Sequence, residues 1–276
     1  MKTPLPCVYT KDYYLHQCEG FDIFKRFSGT RLSRRLKTCF DAASVSQNKS
    51  ILDIGCGRGE LVYAAALKKA DAVGIDNSNA AIKLCKQLSG KTKSFLKKRM
   101  HFYYMDARSI SFGDKTFDII FLLDIIEHLS QHDLDLVLQE ARRVLKDNGR
   151  IIIHTMPNKL FLQYTYPILR FFYPLLDRIF PSLNRLVYTN PYWRTLHSLP
   201  KDPRSHYEKI MHVNEFHYFT LYALLKKHHF SFTIKNVPHL REVHLLVLLE
   251  FLFSLISHIF PLNLFLCTEL LAVAEK

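Results

Sequence analysis

Asp53-Ile54-Gly55-Cys56-Gly57-Arg58-Gly59-Glu60 holds residue types whose spacing could do chemistry. Three glycines at alternate positions let the backbone approach a bulky ligand without Cβ clashes. The run Leu61–Lys69 behind them has helical character and turns its first free N–H groups into the same space. The apolar run Ser50-Ile51-Leu52 precedes them, so strand, glycine turn and helix follow one another, as at a nucleotide-type site. A pyrophosphate would favour the spacing G-x-G-x-x-G. Here the spacing is G-x-G-x-G, and Asp53 stands two residues before the first glycine. An acid at that place repels a pyrophosphate and suits a ligand with a positive centre and an amino-acid tail.

These residues need a sheet to hold them. Ala72-Val73-Gly74-Ile75-Asp76 reads as a second strand, and Asp76 lies seventeen residues after Gly59, where such folds place an acid for ribose hydroxyls. A third strand is expected over His101–Ala107 and a fourth over Phe117–Asp124, followed by Ile125-Ile126-Glu127-His128-Leu129. Leu134–Leu145 reads as a helix closed by Lys146-Asp147-Asn148-Gly149, and Arg150–His154 as a fifth strand. Near-continuous apolar strands alternating with helices predict an α/β fold, a parallel sheet covered on both faces.

The segments ILDIGCGRGE, VGIDNS, MDARS, FDIIFLLDIIEHL and LKDNGRIIIHTMPN, in this order and spacing, resemble class I S-adenosylmethionine-dependent methyltransferases. The nearest resemblance is to the small-molecule branch that acts on quinone precursors and surface-glycan sugars. It covers Tyr13–Asn158 and resumes weakly at His212–Phe216 and in the last strand. The resemblance implies a Rossmann-like, seven-stranded, mostly parallel sheet and S-adenosyl-L-methionine as cofactor. It further implies that Asp53 and the backbone of Gly55, Gly57 and Gly59 hold the methionine part and that Asp76 clasps the ribose. Asp106 would accept from the adenine amino group, the Ala107 N–H would meet a ring nitrogen, and Asp124 would lie near the cofactor's amino group.

A chain of 276 residues exceeds what a bare core of this kind needs, and the excess falls after strand five. The expected organisation is an N-terminal helical arm or lid over 1–48, a cofactor-binding core over 49–158, a hydrophobic helical insertion over 159–211, and completion of the sheet over 212–276. Six scattered cysteines without a C-x-x-C pair fit free thiols, and no metal site is expected. Cys56 reads as a small packing residue. Met1–Gly20 has no apolar run, so no secretory leader is expected. The net charge of +13 gathers in Lys25–Lys37 and Lys83–Arg99, a surface suited to polyanions.

In Leu160–Phe180, Gln163, Arg170 and Asp177 form one narrow polar stripe at seven-residue spacing, and nearly everything else is apolar or aromatic. Pro167 and Pro174 are expected to kink or break such a helix. Leu245–Phe260 is a second apolar stretch, too short to span a bilayer and followed by Phe265–Ala274, which must return to the sheet. Both stretches read as helices lying on a membrane, with a hydrophobic cap over the site or a dimer interface as the bland alternative. The expected location is cytoplasmic, peripheral at the inner face of a membrane.

For chemistry, Asp124-Ile125-Ile126-Glu127-His128 replaces the Asn/Asp-Pro-Pro-Tyr of adenine and glutamine methylation; Asn190-Pro191-Tyr192-Trp193 lies too late in the chain to substitute. The motif is similar to that of small-molecule oxygen methyltransferases. His128 is the first candidate for a base that removes a hydroxyl proton, His154 the second, and Glu127 and His212 are weaker. Tyr13 and Tyr14 read as part of a lid. The leading reading is O-methylation of a small or lipid-linked acceptor, with an anionic membrane surface as partner and nucleic acid disfavoured. The alternatives are a soluble nucleic-acid methyltransferase and a non-catalytic membrane-associated scaffold that retains the fold.

Overall fold

The computed structural model describes residues 2–179, 200–237 and 259–276. Asn190–Trp193, Phe253 and most of the second apolar stretch lie outside the described residues. β1 (Ser50–Ile54), β2 (Asp71–Asp76), β3 (Met100–Tyr104), β4 (Phe117–Leu123), β5 (Leu145–Thr155), β6 (Ser231–Val237) and β7 (Glu269–Glu275) form one sheet in the order β3-β2-β1-β4-β5-β7-β6. β1 to β5 run parallel, while β7 is antiparallel to both β5 and β6. The chain reverses its strand order beside β1, between β2 and β4, so a crevice opens there at the strands' carboxyl ends.

Alternation along the strands divides the core into two layers. Leu52, Ile54, Ile120, Leu122, Ile151 and Ile153 point to one face. There they meet α6 (Gln131–Val144) and α9 (Tyr218–Lys227) through Leu134, Leu138, Leu221 and Leu225. Ile51, Ile119, Phe121 and Ile152 point to the other face, onto Cys39 and Phe40 of α2 (Arg34–Ala43) and Val62 and Ala65 of α3 (Glu60–Leu67). Each such large side chain stabilises by ~1.5–3 kcal/mol on burial, so both faces of the sheet are needed. Serine side chains cap the helices that frame the crevice: Ser33 for α2, Ser78 for α4 (Asn79–Gly90) and Ser130 for α6.

The expected strands are present with shifted ends. β3 stops at Tyr104 and β4 at Leu123, leaving Asp106, Ala107 and Asp124 in the loops beyond. The turn expected over Lys146–Gly149 is instead the first part of β5, because Leu145 pairs with Phe117 before a register shift carries Arg150 to Ile119. The described part of the first apolar stretch is a wide turn, Phe161–Thr165, followed by α7 (Tyr166–Ile179). Pro167 therefore falls where the wide turn passes into α7, and Pro174 is held inside the helix. α1 (Phe21–Phe27), α5 (Ser94–Lys97), α8 (His206–Met211) and α10 (Leu262–Leu266) complete the described α-helices; α10 takes the start of the expected last strand. Among the described residues no helix is long and apolar enough to cross a membrane.

Candidate cofactor and active site

A cavity of about 480 Å³ fills the crevice, floored by the glycine turn and roofed by the N-terminal arm. Gly55, Gly57 and Gly59 adopt positive φ, a conformation that keeps the turn tight at the head of α3. Gly55 and Gly57 line the cavity; Gly59 does not, and a Cβ there would press on Phe102 and Cys85. The third glycine thus serves helix–sheet packing rather than ligand contact. Cys56 and Cys85 lie together behind the turn with their sulfurs 3.8 Å apart, as packing residues.

Two buried acids face the cavity. Asp53 lies next to the end of β1, and burial, reinforced by the charges of Asp76 and Glu60, raises its pKa well above the usual carboxylate range. Asp76 ends β2 and accepts from the Ser78 N–H at 2.8 Å and the Gly57 N–H at 3.0 Å. Burial pushes Asp76 up to about 6 even though those two N–H groups pull the other way.

Asp106 and Ala107 also line the cavity. The Asp106 carboxylate is not free, however: Arg108 grips it in a fork and reaches on to Asp133. Hydrogen bonding to Arg108 lowers the Asp106 pKa. An adenine amino group would have to share that carboxylate with a guanidinium, which sequence spacing did not reveal.

Asp124 sits just past β4 with φ 55°. One oxygen meets His154 Nδ1 at 2.6 Å and the other Arg35 Nη2 at 2.8 Å. His154 Nε2 meets Glu269 on β7 at 3.2 Å. With both ring nitrogens engaged and the side chain off the cavity wall, His154 is not placed to take a proton from an acceptor. Burial alone would lower its pKa; Asp124 and Glu269 override that and push it up to about 9. The second base candidate is therefore corrected: it is an imidazolium held between carboxylates.

His128 does line the cavity. Its Nδ1 lies 3.1 Å from the Tyr9 hydroxyl, and its ring packs edge-on to His212. Burial, then the neighbouring His212, pushes His128 down to about 3, so the ring is neutral and weakly basic at rest. Glu127, off the cavity wall, accepts from Thr155 Oγ1 and is pushed up to about 8, chiefly by burial and then by Asp124. Ligand atoms of Glu127, His128 and His212 lie within 4.8 Å of one another, a carboxylate and two imidazoles that could hold a divalent cation. That grouping was not expected, because His212 arrives from a distant part of the chain.

The arm supplies residues that spacing could not single out. Tyr9, Tyr13 and Tyr14 line the roof. Arg58, buried in the glycine turn, donates to the carbonyls of Tyr14, Cys18 and Glu19 and pairs with Glu60. Arg35 belongs to the basic run read as surface, yet it is buried at 9% exposure and lines the cavity. Its Nε is buried without a hydrogen-bond partner among the described residues.

These features fit S-adenosylmethionine. The cavity has the size of a small-ligand site. Acids suit its sulfonium and ammonium charges, the Asp76 carboxylate its hydroxyls, and the Arg35 guanidinium its carboxylate.

A family model described as a methyltransferase domain matches residues 45–169. A ubiquinone biosynthesis O-methyltransferase of Pelagibacter ubique is 33% identical over 123 residues, covering 45% of this chain and 48% of that protein. The O-methyltransferase cnsE of Penicillium expansum is 28% identical over 126 residues, covering 45% and 43%. The chain spans about half the length of the curated relatives it matches. A crystal structure of a SAM-dependent methyltransferase from Archaeoglobus fulgidus superposes with a TM-score of 0.53 over 92% of this chain and 99% of that one, at 22% identity, a likeness of fold. The glycine turn, the strand order and these matches together identify the core of this chain as a class I S-adenosylmethionine-dependent methyltransferase domain.

Proposed function

We propose that this protein transfers a methyl group from S-adenosylmethionine to a hydroxyl oxygen of a small or lipid-linked acceptor. The observation that carries this reading is the meeting of the glycine turn, two buried acids and one imidazole, His128, around a single cavity. The names of the relatives, oxygen methyltransferases, point the same way.

When bound, the cofactor supplies an electrophilic methyl on sulfur. The chain's own work is alignment and proton handling. In this proposal Asp53, Gly55 and Gly57 cradle the amino-acid end beside Arg35 and Asp124, Asp76 accepts from the ribose hydroxyls, and Asp106 and Ala107 border the base. His128 receives the acceptor's proton, and the neighbouring Asp124 charge favours the imidazolium that forms. The arm excludes water from above. The Glu127–His128–His212 group favours a second reading, in which a divalent cation at these ligands lowers the hydroxyl's pKa.

Peripheral attachment to a membrane remains part of the proposal. Its support is the exposed apolar surface of α7, with Phe171 at 78% exposure beside Ile168 and Phe172, together with the +13 charge. The test is to supply the protein and labelled cofactor with fractionated membrane lipids, soluble phenols and nucleic acids. Turnover confined to nucleic acid, or absent from every fraction with bound cofactor, overturns the reading.

A further inference from the structure

Of the largely buried chain Glu19–Arg35–Asp124–His154–Glu269, the proton transfer proposed above uses only the charge of Asp124. It ties five parts of the fold together: the arm, α2, the loop after β4, β5 and β7. Arg35 Nη2 meets Glu19 at 3.0 Å and Asp124 at 2.8 Å. Asp124 meets His154 at 2.6 Å, and His154 meets Glu269 at 3.2 Å. Ser33 Oγ donates to Glu19 from below. Arg35 Nη1 rests on the Met156 sulfur, a weak acceptor, and Nε has no partner among the described residues. The guanidinium is thus held firmly on one edge and left unsatisfied elsewhere.

We infer that His154 is a positioning residue: by holding Asp124 from behind, it keeps the Arg35 guanidinium available to the carboxylate of bound S-adenosylmethionine. The inference rests on the cofactor assignment and not on any acceptor.

Charge sharing is the physical basis. Glu19, Asp124 and Glu269 face Arg35 and His154, and among the described residues Glu127, the Cys18 and Cys39 thiols and the Tyr13 hydroxyl are further titratable groups nearby. A doubly hydrogen-bonded imidazole between two carboxylates donates from both nitrogens, which only the imidazolium does. Asp124 then divides its charge between two cations. Were His154 neutral, Asp124 would fall to Arg35 alone. The guanidinium would be drawn back onto it and away from an incoming carboxylate. Burial makes this competition stronger than it would be in water. Asp124 lies at positive φ just past β4, with one carboxylate oxygen on each of these two partners.

The test compares two ligands by calorimetry: S-adenosylmethionine, and 5′-methylthioadenosine, which lacks the amino-acid tail. His154→Gln keeps a hydrogen-bonding side chain but cannot carry charge. At pH 7 it is expected to weaken S-adenosylmethionine binding about tenfold, the scale of one charge-assisted hydrogen bond, and to leave methylthioadenosine unchanged. At pH 10 the wild-type imidazole, raised to about 9, is itself neutral, so the two proteins should converge. Titration of the cofactor's own ammonium affects both equally and cancels in the ratio.

Glu269→Gln is the second variant and retains the ring. It lowers the imidazole's pKa, so its deficit for S-adenosylmethionine should appear only between the variant's pKa and the wild type's, vanishing at pH 6 and again at pH 10. Equal losses for both ligands, or ratios that do not change with pH, make the network a packing device and overturn the inference. If the wild type binds neither ligand, the cofactor assignment itself has failed, a result distinct from a failure of His154.

Discussion

Asp76→Asn separates binding from folding, because the two effects should run in opposite directions. Burial raises Asp76 from 3.8 to about 6. A rise of that size corresponds to ~3 kcal/mol, so ionising this side chain costs the empty protein about that much. The sign follows from the folded pKa lying above the unfolded one. The group's contribution to stability is fully present below about pH 4 and is lost as the pH rises through about 6. Asparagine removes the buried charge at pH 7. It also returns one acceptor where two N–H groups, of Gly57 and Ser78, now find carboxylate oxygens, a loss of ~1–3 kcal/mol. The empty variant should therefore melt at or slightly above the wild-type temperature. Cofactor binding should fall, since each ribose hydroxyl loses a charge-assisted partner worth ~1.5–3 kcal/mol, giving at least a tenfold drop. Calorimetry and thermal melts on the same samples measure both. Between pH 7 and pH 5 the wild-type affinity should decline as Asp76 takes up a proton, while the variant stays flat. Unchanged affinity in the variant, or a pH slope identical to the wild type's, would refute the ribose assignment.

His128→Ala should lower turnover by ~10²-fold with cofactor affinity intact, as a lost proton acceptor does; near-normal turnover would reduce it to a packing residue and count equally against a cation held by Glu127, His128 and His212. Arg58→Leu removes donors to three arm carbonyls, so limited proteolysis within residues 2–20 should accelerate at a temperature where the core still resists; an unchanged cleavage rate would show the arm anchored elsewhere. The wild type should sediment with anionic vesicles more than with neutral ones, at ~1 kcal/mol per basic residue near the surface, and Phe171→Ser with Phe172→Ser should release it. A supernatant protein under every lipid mixture would remove the membrane from the proposal.

How much of this was legible in the sequence depended on the distance over which each feature is determined. Strand, glycine turn and helix at 50–67 could be read because every constraint acts within a few residues. The same holds for Asp53 and Asp76, fixed by their place at strand ends. Strand limits were less clear: Lys146–Gly149 has turn composition, yet pairing of Leu145 with Phe117 draws it into β5. Arg35 was hidden in a basic run because nothing local distinguishes it from Arg34. Only the packing of α2 onto the sheet buries it beside Asp124. Tyr9 and His212 reach His128 from opposite ends of the chain, and no spacing rule covers such closures.

The two histidines stand out in sequence for the same chemical reason, and their surroundings divide them. His154 has carboxylates 30 and 115 residues away in sequence and is driven up to about 9. His128 has burial and another imidazole and is driven down to about 3. Neither titrates near the ordinary histidine value. An inflection in cofactor binding near pH 6 therefore belongs to Asp76, and one in turnover near pH 8 to Glu127 or to the acceptor itself. A histidine-like inflection at pH 6.5 that vanished in His128→Ala would mean that bound ligands relieve the burial of that ring, and the arm that roofs it is the part of the fold able to do so.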